Sequence, residues 1–240
     1  MPARPTSDGA FAARMGFAMI ALALLGFGGR ALTSSETHPP PAGALSWHVA
    51  TISAWYGLFV LQAMIGRARQ RLHRALGYLS LPLAAALVWS GVGVMAANYR
   101  LKGDAPLAFF NLLNLTQFLG LYTAAVLSVR RPRRHARLLL YASFAMMPPA
   151  LVRIVQAVGL PEPVAVLLIV GLWLPGLRHD RALLGRVHPA TWVGVAVIAS
   201  GVALGGPIGF SEAWAAALAR ALGAAKALTP RPAGIAMRAS

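Results

Sequence analysis

The sequence contains no cysteine and only 6 acidic residues in 240. Without thiols there can be no disulfide, Cys-ligated zinc, iron–sulfur cluster or thiolate nucleophile. Charge is scarce in general. Asp, Glu, Lys and Arg make up 12% of the chain, about half the share of a soluble domain. Signatures of hydrolysis and phosphate binding are also missing. There is no G-x-S-x-G and no H-E-x-x-H, and "GFGGR" (26–30) lies within or at the end of an apolar run, not after a strand. No acid falls inside an apolar run long enough to cross a bilayer. That counts against proton-coupled transport, which ordinarily uses an intramembrane Asp or Glu. Facilitated movement of a small solute stays open.

What is present is apolar surface. Hydrophobic residues make up 58% of the chain, and mean hydropathy is +0.63. Seven runs approach the roughly 20 apolar residues that a bilayer core about 30 Å thick requires. They cover 15–32, 47–66, 75–97, 107–129, 138–157, 164–177 and 189–209. The sixth is short, contains Pro175 and is the weakest. The expected fold is all-α, a polytopic transmembrane bundle of about seven spans. An N-terminal signal peptide is disfavoured, because no small-x-small cleavage site precedes a soluble domain and further spans follow. The expected boundaries are a tail over 1–13, the bundle over 14–209, and a surface helix with a disordered tail over 210–240.

Net charge is +16, from 22 Lys+Arg against 6 Asp+Glu. In a soluble chain this would suggest nucleic acid. Here the bases sit in short connections between apolar runs without interleaved aromatics, so no nucleic-acid partner is expected. One connection holds Arg67, Arg69, Arg71 and Arg74; another holds Arg130, Arg131, Arg133, Arg134 and Arg137; a third holds Arg178, Arg181 and Arg186. The alternate connections carry Glu36, Asp104 and Glu162, with only Arg30, Arg100 and Lys102 as bases. By the positive-inside rule the N-terminus and the arginine-rich connections face the cytoplasm, and after seven spans the C-terminus lies on the outer side. The arginines are read as topological anchors and partners of anionic lipid headgroups, at about 1 kcal/mol each. After the last span, "SEAWAAALARALGAAKAL" offers Ser211 as N-cap, Glu212 in the first turn, and Trp214, Leu218 and Leu222 on one face. This predicts a short amphipathic helix on the outer membrane surface.

Polar residues at membrane depth are the functional candidates. Arg153 follows Pro148 and Pro149, which should kink their helix. His48, Thr51, Asn111, Asn114 and Gln156 fall at comparable depth, and helical spacing puts His48, Thr51 and Trp55 on one face. Together they outline an outer polar pocket in which Arg153 would hold an anionic or carbonyl-bearing group, such as a lipid headgroup or quinone. The plainer reading is favoured: Arg153 reaches to the interface and the amides join helices. His73, His135 and His188 all open spans on the arginine-rich side, so haem or metal ligation must be weighed. Each stands beside Arg or Pro in a wet basic loop without carboxylate support, so interface histidines are favoured over ligands. No catalytic residue is assigned.

"WHVATISAWYGLFVLQAMIG", "LHRALGYLSLPLAAALVWSG" and "RRHARLLLYASFAMMPPALVRI" resemble a family of small bacterial multi-pass membrane proteins of unknown function. The similarity covers about 47–154. It implies His48, Gln62, His73, Arg74, His135, Arg137 and Arg153 as the positions of interest, and the inner membrane of a bacterium as the location. A looser similarity links the chain to membrane proteins that assist haem–copper oxidase assembly. The expected function is therefore binding or accessory, toward a lipid, a quinone, a haem-like group or a larger membrane complex. A haem-bearing redox protein and a small-solute facilitator are the alternatives.

Overall fold

A computed structural model describes residues 7–29, 42–66, 69–161 and 163–222. Arg67, Glu36, Glu162 and the expected disordered tail beyond 222 lie outside them. Most of the described residues are helical and none lies in a strand, so the fold is an all-α bundle.

The helices are α1 (Asp8–Ala23, continued by a π turn over Leu24–Gly28), α2 (Ala42–Ile65), α3 (Gln70–Lys102), α4 (Ala105–Val126), α5 (Pro132–Ala145), α6 (Pro148–Ala157), α7 (Pro163–Gly171), α8 (Trp173–Leu184), α9 (Pro189–Gly209) and α10 (Glu212–Ala221). Among the described residues, six stretches are long and apolar enough to cross a membrane: Asp8–Gly28, Gly43–Ile65, Gln70–Lys102, Ala105–Val126, Pro163–Leu184 and Pro189–Gly209. The bent pair α5–α6 makes a seventh if it is one span.

Contacts with α1 argue that it is. At one end Arg137 of α5 meets Asp8. Near the other end Gly26 lies against the Ala150 backbone, and Arg153 of α6 lies over the Phe27 ring. From Asp8 to Phe27 is about 28 Å of helix, and from Arg137 to Arg153 about 24 Å. The bent pair therefore accompanies the first helix along nearly its whole length. Its 42° bend falls where Pro148 and Pro149 remove two backbone donors.

Chain ends and turns follow local chemistry. Ser7 Oγ accepts from Ala10 N at 3.3 Å, and Asp104 Oδ1 accepts from Leu107 N at 2.8 Å, capping α1 and α4. Gly103 and Gly185 end α3 and α8 in the left-handed region, with φ of 67° and 71°, where a side chain would be strained. Ser211 caps α10 through Trp214 N at 3.2 Å, as the sequence predicts. The Trp214 indole then donates to Ala105 O at 2.8 Å, seating α10 against the start of α4.

Two boundaries differ from expectation. The first helix begins at Asp8, not near residue 14, because Ser7 caps it and Asp8 has an interior partner. The sixth apolar stretch does not stop at 177. It breaks at Leu172, takes Pro175 into the first turn of α8 and runs on to Leu184. Arg178, His179, Asp180 and Arg181 are thus helical.

The core is aromatic. Trp55, Tyr56, Phe118, Tyr122, Tyr141 and Phe144 are buried together, and Ser143 ties α5 to α2 by accepting from Trp55 Nε1 through Oγ and from Tyr56 Oη through its carbonyl, both at 3.2 Å. Helix α9 comes close because Gly194 leaves room for the Tyr141 ring, into which a Cβ would project. Outward-facing residues are apolar, among them Trp89, Leu127 and Leu167. In water such a surface would aggregate; in hydrocarbon it is the expected exterior.

Candidate functional site

The most charged interior point is one the sequence reading left unassembled. Arg137, near the start of α5, is 5% exposed, and Asp180 of α8 is 1% exposed. Arg137 Nε donates to Asp180 Oδ1 at 2.7 Å, and Nη2 of the same guanidinium bridges to that oxygen as well. Nη2 also reaches Asp8 Oδ1 at 3.1 Å, and Nη1 donates to Arg133 O at 3.1 Å. The second Asp180 oxygen accepts from the Thr191 hydroxyl and from His188 N, the latter at 3.0 Å. Asp8 in turn holds His179 Nε2 at 3.0 Å, while Phe11 stacks on the His179 ring, with centroids 4.0 Å apart. Four crossing elements, α1, α5, α8 and α9, are joined here. A cavity of about 20 Å³ opens beside the cluster, lined by Asp8, Arg137, Tyr141, His179, Asp180 and Thr191 among others. That is room for about one water molecule.

The arrangement changes two expectations. Arg137 does not face lipid phosphate as an anchor, because its guanidinium is turned inward onto two carboxylates. Arg130, Arg131, Arg133 and Arg134 are exposed, as are Arg69, Arg71 and Arg74. Nor are the acids all outside the crossing helices: Asp8 and Asp180 both lie within apolar stretches. Hydropathy misses them because a few charges drag the average down and end the run early. The one available signal was the lone acid in "LRHDRALLG", set among arginines at a helix end.

The candidate histidines occupy three different settings. His188 lies just outside the α9 span, and its Nδ1 accepts from Ala190 N at 3.0 Å, so the ring acts as a helix cap. The neutral tautomer that caps carries its proton on Nε2, so it offers no lone pair to a metal. Burial, followed by the nearby Arg137 charge, holds its imidazole below the usual histidine range. His135 Nδ1 donates to Ala125 O at 2.9 Å, which leaves Nε2 as the basic nitrogen. The Gln62 amide donates to His73 O at 3.0 Å, joining α2 to α3. One and two turns further along α3 lie Gly77 and Ser80, and the Ser80 hydroxyl meets Tyr122 Oη at 2.7 Å.

Of the outer-pocket residues, His48 and Thr51 do come together, through a third residue. Ser90 Oγ is 3.1 Å from His48 Nδ1 and 2.9 Å from Thr51 Oγ1. Sequence reasoning passed over Ser90 because a lone serine in an apolar run carries little signal. Asn114 is buried and Asn111 half-buried on α4. Arg153 is half-buried; Nη1 donates to Pro149 O at 2.9 Å, and the guanidinium stands 4.5 Å from the Phe27 ring centre. Gln156 is exposed, so it does not line an enclosed pocket with the others.

Among the described residues no group of three or more His, Asp or Glu side chains is arranged to hold a metal ion. No family model, curated protein or solved structure matches the chain.

Proposed function

We propose that this chain is a non-catalytic binding or accessory protein of the bacterial inner membrane. In this reading its arginine-rich end and N-terminus face the cytoplasm, and α10 rests on the periplasmic face. Its ligand is a lipid, a quinone, a haem-like group or a larger membrane complex. One observation carries the reading: the interior charges are spent on one another. Both oxygens of Asp180 are occupied and Arg137 is shared between two carboxylates. A general base or proton carrier needs an open face toward its substrate, whereas this carboxylate is surrounded by donors. The cluster acts as a staple, and contact with other molecules is left to the ends and the apolar exterior.

Purification in mild detergent, with mass spectrometry of co-purifying lipids, quinones and proteins, tests this. A molecule or partner should be recovered with the wild type and reduced several-fold by Arg153→Ala or His48→Ala. Recovery unchanged in both variants would remove the outer pocket from the proposal. Reporter fusions after Arg134 and Ser240 should report opposite sides of the membrane.

A second reading, a haem-bearing redox protein, is favoured by the hydrogen bond from His135 to Ala125 O. Ligating histidines commonly anchor their other ring nitrogen on a carbonyl in this way. Haem-replete expression should then give a Soret band that His135→Ala abolishes. A spectrum without the band rules this reading out.

A further inference from the structure

The contact between α2 and α3 at the arginine-rich end holds two polar atoms with nothing to bond. Gln62 is 8% exposed. Its Oε1 and the Nδ1 of His73 are both buried, and neither has a hydrogen-bond partner among the described residues. The amide orientation is fixed, because Nε2 is the atom that donates to His73 O; turning the amide over would set oxygen against oxygen. Leaving such atoms unpaired is costly, and folded proteins rarely tolerate it without a water, ion or ligand.

The surroundings indicate what would fit. Gln62 Oε1 can only accept, and His73 Nδ1 can donate or accept according to the ring's tautomer. A hydroxyl group has the chemistry for both: its O–H can donate to Gln62 Oε1, and its oxygen can accept from His73 Nδ1. Around the site, Arg69 stands one helical turn before His73, whose backbone N–H bonds to Arg69 O at 2.9 Å. Arg69, Arg71 and Arg74 are all exposed. Gly77 carries no side chain on the face toward Gln62, and Met64, Tyr78 and Leu79 elsewhere on the same two helices are exposed apolar surface. Exposed arginines at the helix ends, two unpartnered polar atoms between the helices and an apolar exterior match an amphiphile.

We infer that Gln62 and His73 form a binding site for the hydroxyl group of a membrane amphiphile. Its source is either a phospholipid with a hydroxyl-bearing anionic headgroup or a quinol. The site deepens the general reading of a binding protein but stands apart from the outer pocket, at the opposite end of the helices.

The test uses the full chain in nanodiscs, read by native mass spectrometry and thermal unfolding. One arm compares phosphatidylglycerol with phosphatidylmethanol, which keeps the phosphodiester charge and lacks the glycerol hydroxyls. The other adds a quinol. Two good hydrogen bonds predict about tenfold stronger retention of the hydroxyl-bearing molecule. Gln62→Met should abolish that preference; it also removes the Nε2 bond to His73 O and so slightly lowers the unfolding midpoint of the lipid-free protein. His73→Phe, which keeps the Gln62–carbonyl bond, should also abolish the preference and serves if the first variant folds poorly. Preference for phosphatidylglycerol assigns the lipid; retention of the quinol assigns the quinol. Equal retention of all probes, or a preference unchanged in both variants, overturns the site. Because Arg153→Ala is not expected to alter this preference, failure here and failure of the outer pocket can be told apart.

Discussion

Arg137 and Arg153 are both arginines within the bent pair α5–α6, yet the bundle treats them differently. Arg137 is almost fully enclosed and meets two carboxylates. Arg153 is half-buried and rests on a backbone carbonyl and an aromatic ring. The contrast follows from desolvation. A guanidinium removed from water needs a counter-charge and further hydrogen bonds to be tolerable, whereas one that keeps part of its hydration is satisfied by a carbonyl and a ring face. The first arginine holds helices together; the second keeps part of its surface open to the exterior.

The largest effect expected from breaking this contrast is at Asp180. Asp180→Ala would leave Arg137 enclosed without its inner counter-charge, at a cost of about 3–5 kcal/mol. This should appear as a large drop in the thermal midpoint in mild detergent. Combining Arg137→Met with Asp180→Leu should recover most of the loss, because an apolar pair removes the stranded charge. A midpoint unmoved by Asp180→Ala would show that the network does not hold the bundle. Next comes the close approach of α9, which delivers Thr191 to Asp180. Gly194→Ala drives a methyl group into the Tyr141 ring and should cost about 1–3 kcal/mol, read by the same unfolding measurement.

Arg153→Ala sharpens the other side of the comparison. Losing its contact with Phe27 should cost only about 0.5–1 kcal/mol. A drop as large as that of Asp180→Ala would mean that Arg153, too, is a staple. The smallest effect is a pH dependence at His188. The folded protein resists protonating this ring, chiefly through burial and then through the Arg137 charge, while the unfolded chain takes up the proton near pH 6.5. Stability is therefore whole above about pH 6.5 and declines as pH falls through that value, because the unfolded state binds the proton first. His188→Asn keeps a capping acceptor that does not titrate in this range. Comparing its unfolding midpoints with wild type between pH 5 and 8 should show a shallower slope; identical slopes would remove His188 as the source.

The apolar stretches, the proline break before α6 and the Ser211 cap were legible because each is written locally, in composition or in a cap a few residues long. The outer polar residues were legible only as types. That His48 and Thr51 share Ser90 depends on how α2 is rotated against α3, and no single helix encodes that rotation. Gln62 was legible only through the family resemblance, and its unpaired oxygen becomes visible only once the neighbours of that oxygen are known.

The sequence by itself determined a helical bundle built to lie in a bilayer, because hydropathy sums along the chain and twenty apolar residues fix one crossing. It also set the alternation of basic connections. Only tertiary structure decided which charges belong to the surface. Nothing in "RRPRRHAR" separates Arg134 from Arg137, yet one is exposed and the other enclosed. The physical reason is that a buried charge is tolerated only where partners converge on it, and the carboxylates that meet Arg137 come from positions 8 and 180, far apart in the chain and adjacent only in the fold.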